Sequence, residues 1–448
     1  MNIEKIVSLC KRRGFVFQSS EIYGGFKAVY DYGPLGVALK NNISKIWWKA
    51  MTQHHENIVG LDSAIFTHPK IWEASGHVGA FNDPLVDCKQ CKARYRADEL
   101  STETIPEWGK MTCPNCGSKG SFTDPRQFNL MFKTSIGPVE DDSNIAYLRP
   151  ETAQGIYVNY LLVQNAMRLK VPFGIAQIGK AFRNEIVARN FIFRTREFEQ
   201  MEMQYFVQPD QDDQSLNEWK DKRLSFYSQL GIDKSKLRFK EHGPDELAHY
   251  AKEAWDIEYE FPFGWSEIEG IHNRTDFDLK QHQEFSGKKL QYFDNELNEN
   301  YTPCVVETSI GLDRMFLAIL SNSLKEEILE NNTTRTVLKL PSFLSPHKVA
   351  ILPLVKKDGL PQIARDIYNN LKLEFNVTYD EKDAVGRRYR RQDAIGTPYC
   401  ITIDHQTKDD NTITIRERDS MQQDRIPLND IDIYIKKKVS FSSAITKN

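Results

Sequence analysis

The sequence lacks long apolar runs, a large charge imbalance and a dense set of cysteines. No run approaches the roughly 20 apolar residues that span a bilayer, and the charged N-terminal stretch MNIEKIVSLCKRR is not a signal peptide, so we expect no membrane partner. The net charge of −3 excludes a protein that coats polyanions nonspecifically. Seven cysteines, four of them in close pairs, fit a reducing compartment better than a disulfide framework. We therefore predict a cytoplasmic protein whose contacts with RNA, if any, are local.

The chain is too long for one ordinary domain. It has 448 residues, whereas domains usually contain about 100 to 200, and no internal repeat accounts for the excess. Hydrophobic residues make up 40% of the chain, which is enough for packed globular cores. We expect two domains and an insertion.

The stretch AFRNEIVARNFIFRTREFEQMEMQYF concentrates arginine and glutamate between two strand-like patterns. One interpretation is a solvated hairpin tip. However, Glu185, Glu199 and Glu202 are expected on a sheet face, where carboxylates are costly to bury unless they are paired or face a ligand. Guanidinium groups suit phosphate oxygens, and carboxylates accept hydrogen bonds from amines. We therefore predict two antiparallel strands and a site for a molecule with phosphates and amino groups. The arginines of the stretch are Arg183, Arg189, Arg194 and Arg196.

Two CxxC pairs form the clearest metal signal. Cys88 and Cys91 precede Cys113 and Cys116 within residues 86–120, and two such pairs complete a closed, tetrahedral zinc site. The alternative is a thiol-bearing loop without metal. Because four thiolates leave no open coordination position, catalysis by this zinc is not expected.

The remaining patterns define helices, a linker and a tail. An opening helix is expected to end at Gly14, and a long helix to begin at Pro34. Residues 211–230 and 244–255 are interpreted as peripheral packing, and Glu151 is placed at the start of a helix. Residues 330–347, rich in Asn, Thr, Ser and Pro, are interpreted as a linker. Alternating strands and helices after it predict a small α/β domain.

FRNE followed by FRTREFEQME resembles motif 2 of the class II aminoacyl-tRNA synthetases, in the form found in glycyl-tRNA synthetases of the homodimeric (α2) type. DYGPLG, WEASGH, RPETAQG and NRTDFDL resemble the same family in the same order, and GLDRMFLAIL resembles motif 3. The resemblance covers nearly the whole chain. It implies an α+β fold: a class II catalytic domain built on an antiparallel sheet with helices, plus a C-terminal α/β anticodon-binding domain.

The resemblance also implies boundaries and partners. The catalytic core would span 1–340, with motif 1 at about 30–66, motif 2 at about 181–206 and motif 3 at about 305–320; a zinc-ribbon-like insertion would occupy 86–120, and the anticodon-binding domain 346–448. Motif 1 would build a homodimer interface. The alternative interpretation of its helix is an ordinary buried helix.

The implied activity is glycine–tRNA ligation. Glycine and ATP would give glycyl-adenylate and pyrophosphate, and the glycyl group would then move to the 3′ terminal ribose of tRNA(Gly). Arg183 and Arg314 would be catalytic, and Glu267 would carry Mg²⁺. The ATP-binding residues implied are Arg183, Asn184, Glu185, Phe193, Arg194, Thr195, Arg196, Glu197, Phe198, Glu267, Ile268, Gly311, Leu312, Asp313 and Arg314.

Glycine has only an ammonium group and a carboxylate, so its pocket is expected to be small and acidic. Steric clash excludes larger amino acids, and no editing domain is expected. One departure is Thr308, where the family usually has proline. The glycine-binding residues implied are Arg96, Glu151, Phe198, Glu199, Gln200, Met201, Glu202, Arg274, Glu307, Ser309 and Gly311.

The tail segment GRRYRRQD places four arginines, Arg387, Arg388, Arg390 and Arg391, around a tyrosine. It is either a solvated basic loop or a clamp for single-stranded bases. Three rival functions remain open at this point: a class II synthetase for another small amino acid, a noncatalytic accessory subunit that binds nucleic acid, and a zinc-dependent nucleic-acid module.

Overall fold

The computed structural model describes residues 2–100, 108–138, 144–187, 190–329 and 332–442. Arg189 of the arginine-rich stretch lies outside these residues. The helices of the described chain span Ile3–Arg13 (α1), Pro34–Thr52 (α2), Lys70–Ala74 (α3), His77–Ala80 (α4), Ala97–Leu100 (α5), Ala153–Met167 (α6), Asp212–Gln229 (α7), Phe277–Ser286 (α8), Leu312–Ser323 (α9), Leu360–Leu371 (α10), Val385–Ile395 (α11), His405–Asp410 (α12) and Ile431–Val439 (α13). Short 3-10 helices span Glu21–Tyr23, Phe191–Phe193, Lys234–Lys236 and Leu428–Asp430.

The strands form several sheets, of which a large one belongs to the core and a smaller one to the tail. They span Val16–Gln18 (β1), Tyr30–Tyr32 (β2), Ile58–Gly60 (β3), Asn82–Asp87 (β4), Arg94–Arg96 (β5), Arg126–Asn129 (β6), Phe132–Ser135 (β7), Ile145–Leu148 (β8), Phe173–Phe182 (β9), Glu197–Val207 (β10), Leu237–Glu241 (β11), Glu253–Phe261 (β12), Gly264–Thr275 (β13), Tyr292–Asp294 (β14), Glu299–Tyr301 (β15), Cys304–Gly311 (β16), Leu324–Ile328 (β17), Thr334–Leu338 (β18), Val349–Pro353 (β19), Val377–Tyr379 (β20), Tyr399–Ile403 (β21), Thr412–Glu417 (β22) and Gln423–Pro427 (β23).

A seven-stranded sheet organises the core. Its order is β11-β12-β13-β16-β10-β9-β3, and its neighbours are antiparallel except for the parallel pair β3 and β9. β9 and β10 are the two strands that flank the arginine-bearing loop, with Phe182 opposite Glu197. The predicted antiparallel pair and the α+β class are both confirmed.

The ends of the first two helices follow from their sequence. The Asn2 side chain accepts a hydrogen bond from the Lys5 amide (3.2 Å) at the start of α1, and Gly14 ends that helix with φ of 74°, a left-handed conformation that suits glycine. Pro34 occupies the first turn of α2. Gly36 allows α2 to approach β1, because a Cβ there would lie 1.8 Å from the Phe15 carbonyl oxygen. Both predicted helix boundaries are confirmed.

α2 and α9 pack on one face of the sheet and fill the main hydrophobic core. The buried side chains of α2 meet Met201 and Met203 of β10, while α9 is apolar around most of its circumference. A helix buried on most sides is expected to look like this. The sheet's opposite face is therefore the one available for polar side chains.

The tail forms a separate five-stranded sheet in the order β20-β19-β21-β22-β23. The first three strands are parallel, and the last two pairings are antiparallel. α10 and α13 contribute to a hydrophobic cluster of their own on this sheet. The predicted small α/β unit is confirmed.

The predicted linker is wrong over part of its length. Residues 334–338 form β18, which pairs with β17 as a hairpin. Arg335 and Val337 are buried while Thr334 and Thr336 are exposed, and this alternation is the pattern of a half-buried strand. Composition rich in Asn, Thr and Ser concealed it. Residues 330 and 331 lie outside the described residues.

A buried ionic cluster joins this hairpin to the tail. Asp393 on α11 accepts hydrogen bonds from Nε of Arg335 (3.0 Å) and from both terminal nitrogens of Arg416 (2.9 and 3.2 Å). Arg418 donates to the carbonyl of Leu340 (2.8 Å). We call these four charged residues, Arg335, Asp393, Arg416 and Arg418, the junction cluster. Among the described residues, no helix is both long and apolar enough to cross a membrane.

Candidate active site

A cavity of about 260 Å³ opens on the sheet face that does not pack against α2. Strands β10, β13 and β16 supply its floor, and the loop before β10 and the start of α9 supply its rim. It is lined by Glu151, Arg183, Glu185, Ile192, Phe193, Arg194, Thr195, Phe198, Gln200, Glu202, Tyr250, Glu267, Gly270, His272, Arg274, Glu307, Ser309, Gly311, Asp313 and Arg314.

The two-residue period of β10 decides which of its side chains reach the cavity. Phe198, Gln200 and Glu202 line it, whereas Glu199 forms an ion pair with Lys40 of α2 on the opposite face. The expectation that Glu185, Glu199 and Glu202 share a sheet face is therefore wrong. Glu185 lies in the loop before β10, and residues 199 and 202 are separated by an odd number of positions, which places them on opposite faces.

Two rows of cross-strand neighbours form the floor of the cavity. Glu202 of β10 lies opposite Ser309 of β16, which lies opposite Gly270 of β13. In the next row, Glu307 lies opposite His272. A Cβ at Gly270 would come within 2.9 Å of the His272 ring, so the absence of a side chain there keeps the floor open.

An amide bridges two buried carboxylates. The Gln204 side-chain nitrogen donates to Glu202 (3.2 Å) and to Glu307 (3.0 Å). The Tyr157 hydroxyl donates to the Gln204 side-chain oxygen (2.7 Å), which fixes the orientation of the amide. The Thr152 hydroxyl donates to the second oxygen of Glu202. Two acids are thus held side by side by neutral donors.

Arg274 is held beside these acids by a bulge near the end of β13. Its guanidinium makes two hydrogen bonds to Asp278 (2.8 and 3.0 Å) and a third to Glu307 (2.8 Å). The Tyr250 ring covers it at 3.7 Å. One cation therefore serves two carboxylates, and the pocket keeps an excess of acid.

The pKa values of the three pocket glutamates move in different directions. Burial raises the pKa of Glu151, but the charges of His77 and Arg274 outweigh it and lower the pKa to about 2. Burial also opposes the charge of Glu307, yet Arg274 holds its pKa well below the usual range. The pKa of Glu202 is raised well above normal, first by burial and then by its hydrogen bond to Glu307 and the charges of the other two acids.

Arg183 lies at the mouth of this acidic region. Its Nε donates to the Pro150 carbonyl (3.0 Å), and its guanidinium is 5.3 Å from the centroid of each of two rings, Phe81 and Phe198. Within the described chain it forms no ion pair. A planar cation beside two aromatic rings, with no carboxylate partner in the described part of the chain, is suited to a bidentate anion.

Two further arginines occupy the rim, and each is engaged with a carboxylate. Arg194 pairs with Glu185 (2.9 Å), and Arg314 pairs with Glu267 (2.8 Å). The Phe193 ring lies 4.5 Å from the guanidinium of Arg314. Together with Arg183 they add three arginines to the lining of the cavity, two of which are paired with the lining residues Glu185 and Glu267.

Eight implied site residues do not line the cavity. Glu199 and Met201 lie on the α2 face, Ile268 and Leu312 are fully buried in the core, and Arg96 pairs with Asp83 (2.9 Å) in the insertion. The other three lie in the loop or at the edge of β10: Asn184, whose amide donates to the Leu130 carbonyl; Arg196, which donates to the Glu185 carbonyl; and Glu197, which pairs with Lys180.

Several cavity residues were missed from the sequence. Tyr250 belongs to a stretch interpreted as peripheral packing, and that interpretation is wrong because its ring covers Arg274. His272 and Gly270 had a usable signal, since they precede Arg274 by two and four residues on one strand. Glu151 was placed at the start of a helix, but α6 begins two residues later. Strand β16 runs directly into α9. Thr308, which stands where the family usually has proline, is fully buried within β16.

The four paired cysteines converge as their spacing predicted. The sulfur atoms of Cys88, Cys91, Cys113 and Cys116 all lie within 4.8 Å of one another. The backbone amide of Cys91 is the largest of several hydrogen bonds that lower the pKa of Cys88 to about 5, which favours the thiolate. Four converging thiol groups, one of them readily ionised, fit a structural zinc ion. Residues 101–107 of the insertion lie outside the described chain.

The basic segment of the tail is helical, so its interpretation as a loop is wrong. It forms α11, in which Arg388 is buried and donates to the carbonyls of Pro353 (2.6 Å) and Leu354 (3.1 Å). Arg391 pairs with Asp380 (2.7 Å). Of its arginines, Arg387 is exposed and remains the best placed to meet a ligand.

Two family models match the chain. The anticodon binding domain matches residues 348–438, and the tRNA synthetase class II core domain (G, H, P, S and T) matches residues 132–323. A prolyl-tRNA synthetase from Cryptosporidium parvum, solved with halofuginone and AMPPNP, superposes with a TM-score of 0.65 over 99% of this chain and 76% of that one. At 13% sequence identity this likeness shows the fold alone.

Curated relatives match the chain from end to end. The glycine--tRNA ligase of Treponema denticola is 58% identical over 444 residues, covering 98% of this chain and 97% of the relative. That of Borrelia hermsii is 57% identical over 442 residues, covering 98% of each. That of Treponema pallidum (strain Nichols) is 53% identical over 449 residues, covering 95% of this chain and 96% of the relative.

Proposed function

The chain belongs to the glycine--tRNA ligases, which are class II aminoacyl-tRNA synthetases, and on that premise we propose how its residues carry out the reaction. Glycine and ATP give glycyl-adenylate and pyrophosphate, and the glycyl group then passes to the 3′ terminal ribose of tRNA(Gly). The observation that carries the residue assignments is a cavity that is lined both by buried glutamates and by arginines that include Arg183, Arg194 and Arg314.

The first step joins two anions. A carboxylate oxygen of glycine attacks the α-phosphorus of ATP, and pyrophosphate leaves. The site must neutralise charge and align the reactants, and it needs no covalent nucleophile. Arg183 binds the α-phosphate and the attacking carboxylate, because it lines the cavity and has no carboxylate partner among the described residues. Arg194 and Arg314 bind the γ-phosphate.

Adenine binds beside the aromatic part of the cavity. Phe198 stacks on the ring, and Glu185 accepts a hydrogen bond from the adenine amino group. Both residues line the cavity near Arg183. Because Glu185 also pairs with Arg194, the two assignments are linked: a change at either residue will affect both the base and the phosphate contacts.

Glycine binds at the acidic end. The ammonium group faces Glu151, Glu202 and Glu307, and Ser309 lies in the same row as Glu202. Tyr250 and Arg274 close the wall, so a side chain on the substrate would meet protein atoms. Larger amino acids are thus excluded by clash.

Two metals are implied. Glu267, whose carboxylate lies at the rim beside Arg314, would hold Mg²⁺, which neutralises phosphate charge when bound. Zinc would be held by the four converging cysteines, where it would stabilise the insertion and leave catalysis to the cavity.

The remaining assignments concern assembly and RNA. We propose a homodimer of the α2 type through motif 1, a cytoplasmic location, and domain boundaries of 1–340, 86–120 and 346–448. The tail domain binds the anticodon limb of tRNA(Gly), with Arg387 as a phosphate contact. The glycine--tRNA ligase relatives and the matched anticodon binding domain support the RNA assignment.

Charging of tRNA tests the function. Purified protein, ATP, Mg²⁺ and labelled glycine are incubated with tRNA(Gly), and acid-precipitable label is measured beside reactions with alanine and serine. We expect charging with glycine alone. Charging with another amino acid would favour a synthetase for a different small residue. Folded protein that binds tRNA and charges nothing would favour the accessory-subunit alternative.

Zinc has its own test. We expect Cys113→Ser to lose the bound metal, measured by elemental analysis, and to unfold at lower temperature, because metal binding contributes directly to folding. Cys304→Ser, at a buried cysteine outside the cluster, is the matched control and should retain metal. A Cys113→Ser protein with full zinc content would contradict the four-cysteine site and leave the catalytic assignment intact.

A further inference from the structure

Two buried carboxylates in the pocket are adjacent without a cation between them. Glu202 is 1% exposed and Glu307 is 4% exposed. What joins them is the Gln204 amide, which donates to both (3.2 and 3.0 Å) and is held in that orientation by Tyr157. An amide satisfies lone pairs but carries no charge, so it leaves their mutual repulsion in place.

The charged neighbours favour Glu307 and Glu151 as the ionised members. Glu307 receives a hydrogen bond from Arg274 (2.8 Å) and has His272 at 3.4 Å; Glu151 has His77 at 3.4 Å. Arg274 is shared with Asp278. Each of these acids therefore has a cation or an imidazole beside it.

Glu202 has only neutral hydrogen-bond donors. They are the Thr152 hydroxyl and the Gln204 amide, and it forms no ion pair within the described chain. Arg149, a further cation that feels the charge of Glu202, directs its guanidinium to the carbonyls of Lys180 (2.6 Å) and Ser63 (2.8 Å) instead. A buried acid in this position keeps its proton and shares it with the adjacent carboxylate.

We propose that the Glu202–Glu307 pair holds one proton in the empty pocket and releases it when the ammonium group of glycine binds. The proposal rests on the assignment of this pocket to glycine. The bound ammonium supplies the positive charge that the proton supplied before, so the O–H bond of the pair breaks and the proton passes to solvent. The substrate keeps all its atoms and its charge.

The proposal gives glycine binding a pH dependence of defined sign. Because the complex holds one proton fewer than the free reactants, affinity rises with pH while the pair is protonated, by at most about tenfold per pH unit. Glycolate, which has a hydroxyl in place of the ammonium group, brings no positive charge and should bind, if at all, without proton release.

Calorimetry measures the released proton directly. Glycine is titrated into the full-length protein at one pH in two buffers with different ionisation enthalpies, phosphate and Tris, and the difference in heat gives the number of protons. We expect about one proton per glycine for the wild type. Glu202→Gln, which mimics the protonated acid, should fold and release none. Glu260→Gln, at an exposed position on β12, is the control and should release one.

The outcomes distinguish failure of the shared-proton proposal from failure of the assignment of this pocket to glycine. Glycine binding with equal heats in both buffers would overturn the shared proton and leave the glycine pocket intact, as would a Glu202→Gln protein that still releases one proton. Absence of any glycine-dependent heat in the folded wild type would overturn both. If the variant does not fold, the wild-type measurement alone decides.

Discussion

The proposed glycine pocket and the junction cluster both bury several charges, yet they balance them in opposite ways. At the junction, Asp393 has guanidinium groups on two sides, and Arg418 finds backbone carbonyls and a carboxylate. In the pocket, the guanidinium of Arg274 serves Asp278 and Glu307, whereas Glu202 has only neutral hydrogen-bond donors. The charges of the junction are paired within the described chain, whereas we propose that the pocket gains its missing cation from the ammonium group of glycine.

This difference separates structural from functional burial of charge. A buried ion pair whose partners are all present contributes position and specificity, and removing one partner is costly. A buried charge without a full set of partners must shift its pKa or bind something. The comparison therefore predicts that junction variants lose stability and keep chemistry, while pocket variants do the reverse.

The largest effect is expected at the junction. Asp393→Asn should cost about 3–5 kcal/mol of unfolding free energy, because Arg416 would be left buried without a carboxylate and Arg335 would keep only its ion pair with Glu327. Urea denaturation followed by tryptophan fluorescence measures it, with Asp409→Asn, at an exposed position, as control. A cost below about 1 kcal/mol would mean that the junction is no more than a surface-like salt bridge.

The next effect is expected in the cavity. Arg183→Ala should lower the rate of glycine-dependent exchange of pyrophosphate into ATP by about 10²–10³-fold, the size expected for removing one donor to developing charge, while unfolding stays within about 0.5 kcal/mol of the wild type. Arg238→Ala, which removes an ion pair with Glu258 outside the cavity, is the control. A large loss of unfolding free energy in Arg183→Ala, beside the loss of exchange rate, would contradict the predicted difference between the cavity and the junction cluster.

A smaller effect is the pH dependence of stability. The pKa of Glu202 is higher in the folded state than in the unfolded state, so protonated Glu202 stabilises the fold. This stabilisation is fully present below about pH 4.5 and is lost as the pH rises toward the folded-state pKa. The unfolding free energy of the wild type relative to Glu202→Gln should thus fall with pH, by at most about 1.4 kcal/mol per unit. Thermal unfolding of both proteins between about pH 5 and 8 measures it. If the unfolding free energies of the two proteins changed equally with pH, the raised pKa of Glu202 would be contradicted.

The smallest effect contrasts two adjacent arginines of α11. Arg387→Gln should weaken tRNA binding modestly and reduce the slope of log affinity against log salt by about 1, since one phosphate contact is lost. It should leave stability unchanged. Arg388→Gln should instead destabilise the tail, because its guanidinium satisfies buried carbonyls. Filter binding across salt concentrations and thermal unfolding distinguish the two variants. Weaker tRNA binding in a stable Arg388→Gln protein, with a destabilised Arg387→Gln protein, would contradict both assignments.

Sequence reasoning succeeded where local pattern and spacing carry the information. The β9 and β10 pair, the ends of α1 and α2, and the convergence of the four cysteines all follow from periodicity, capping and ligand spacing. Arg183, Glu202 and Arg314 were named from motifs, and the structure brings them to one cavity; their catalytic and binding roles stay predictions.

It failed where long-range packing decides. The strand β18 was hidden in a composition typical of linkers, because its burial depends on Asp393 some 60 residues away. Tyr250 had no local signal, since its role follows from a bulge that places Arg274 beneath it. Glu199 was expected on the same sheet face as Glu202 and was implied with it by the family resemblance, although strand alternation places it on the other face.

The most direct test of the account is pyrophosphate exchange into ATP with each of the 20 amino acids supplied singly. An acid-rich pocket that also holds an arginine without a carboxylate partner among the described residues predicts exchange with glycine alone, lost when Arg183 is replaced by alanine. Exchange with alanine or serine at a rate comparable to glycine would contradict the claim that the pocket selects its substrate by charge and by the lack of room for a side chain.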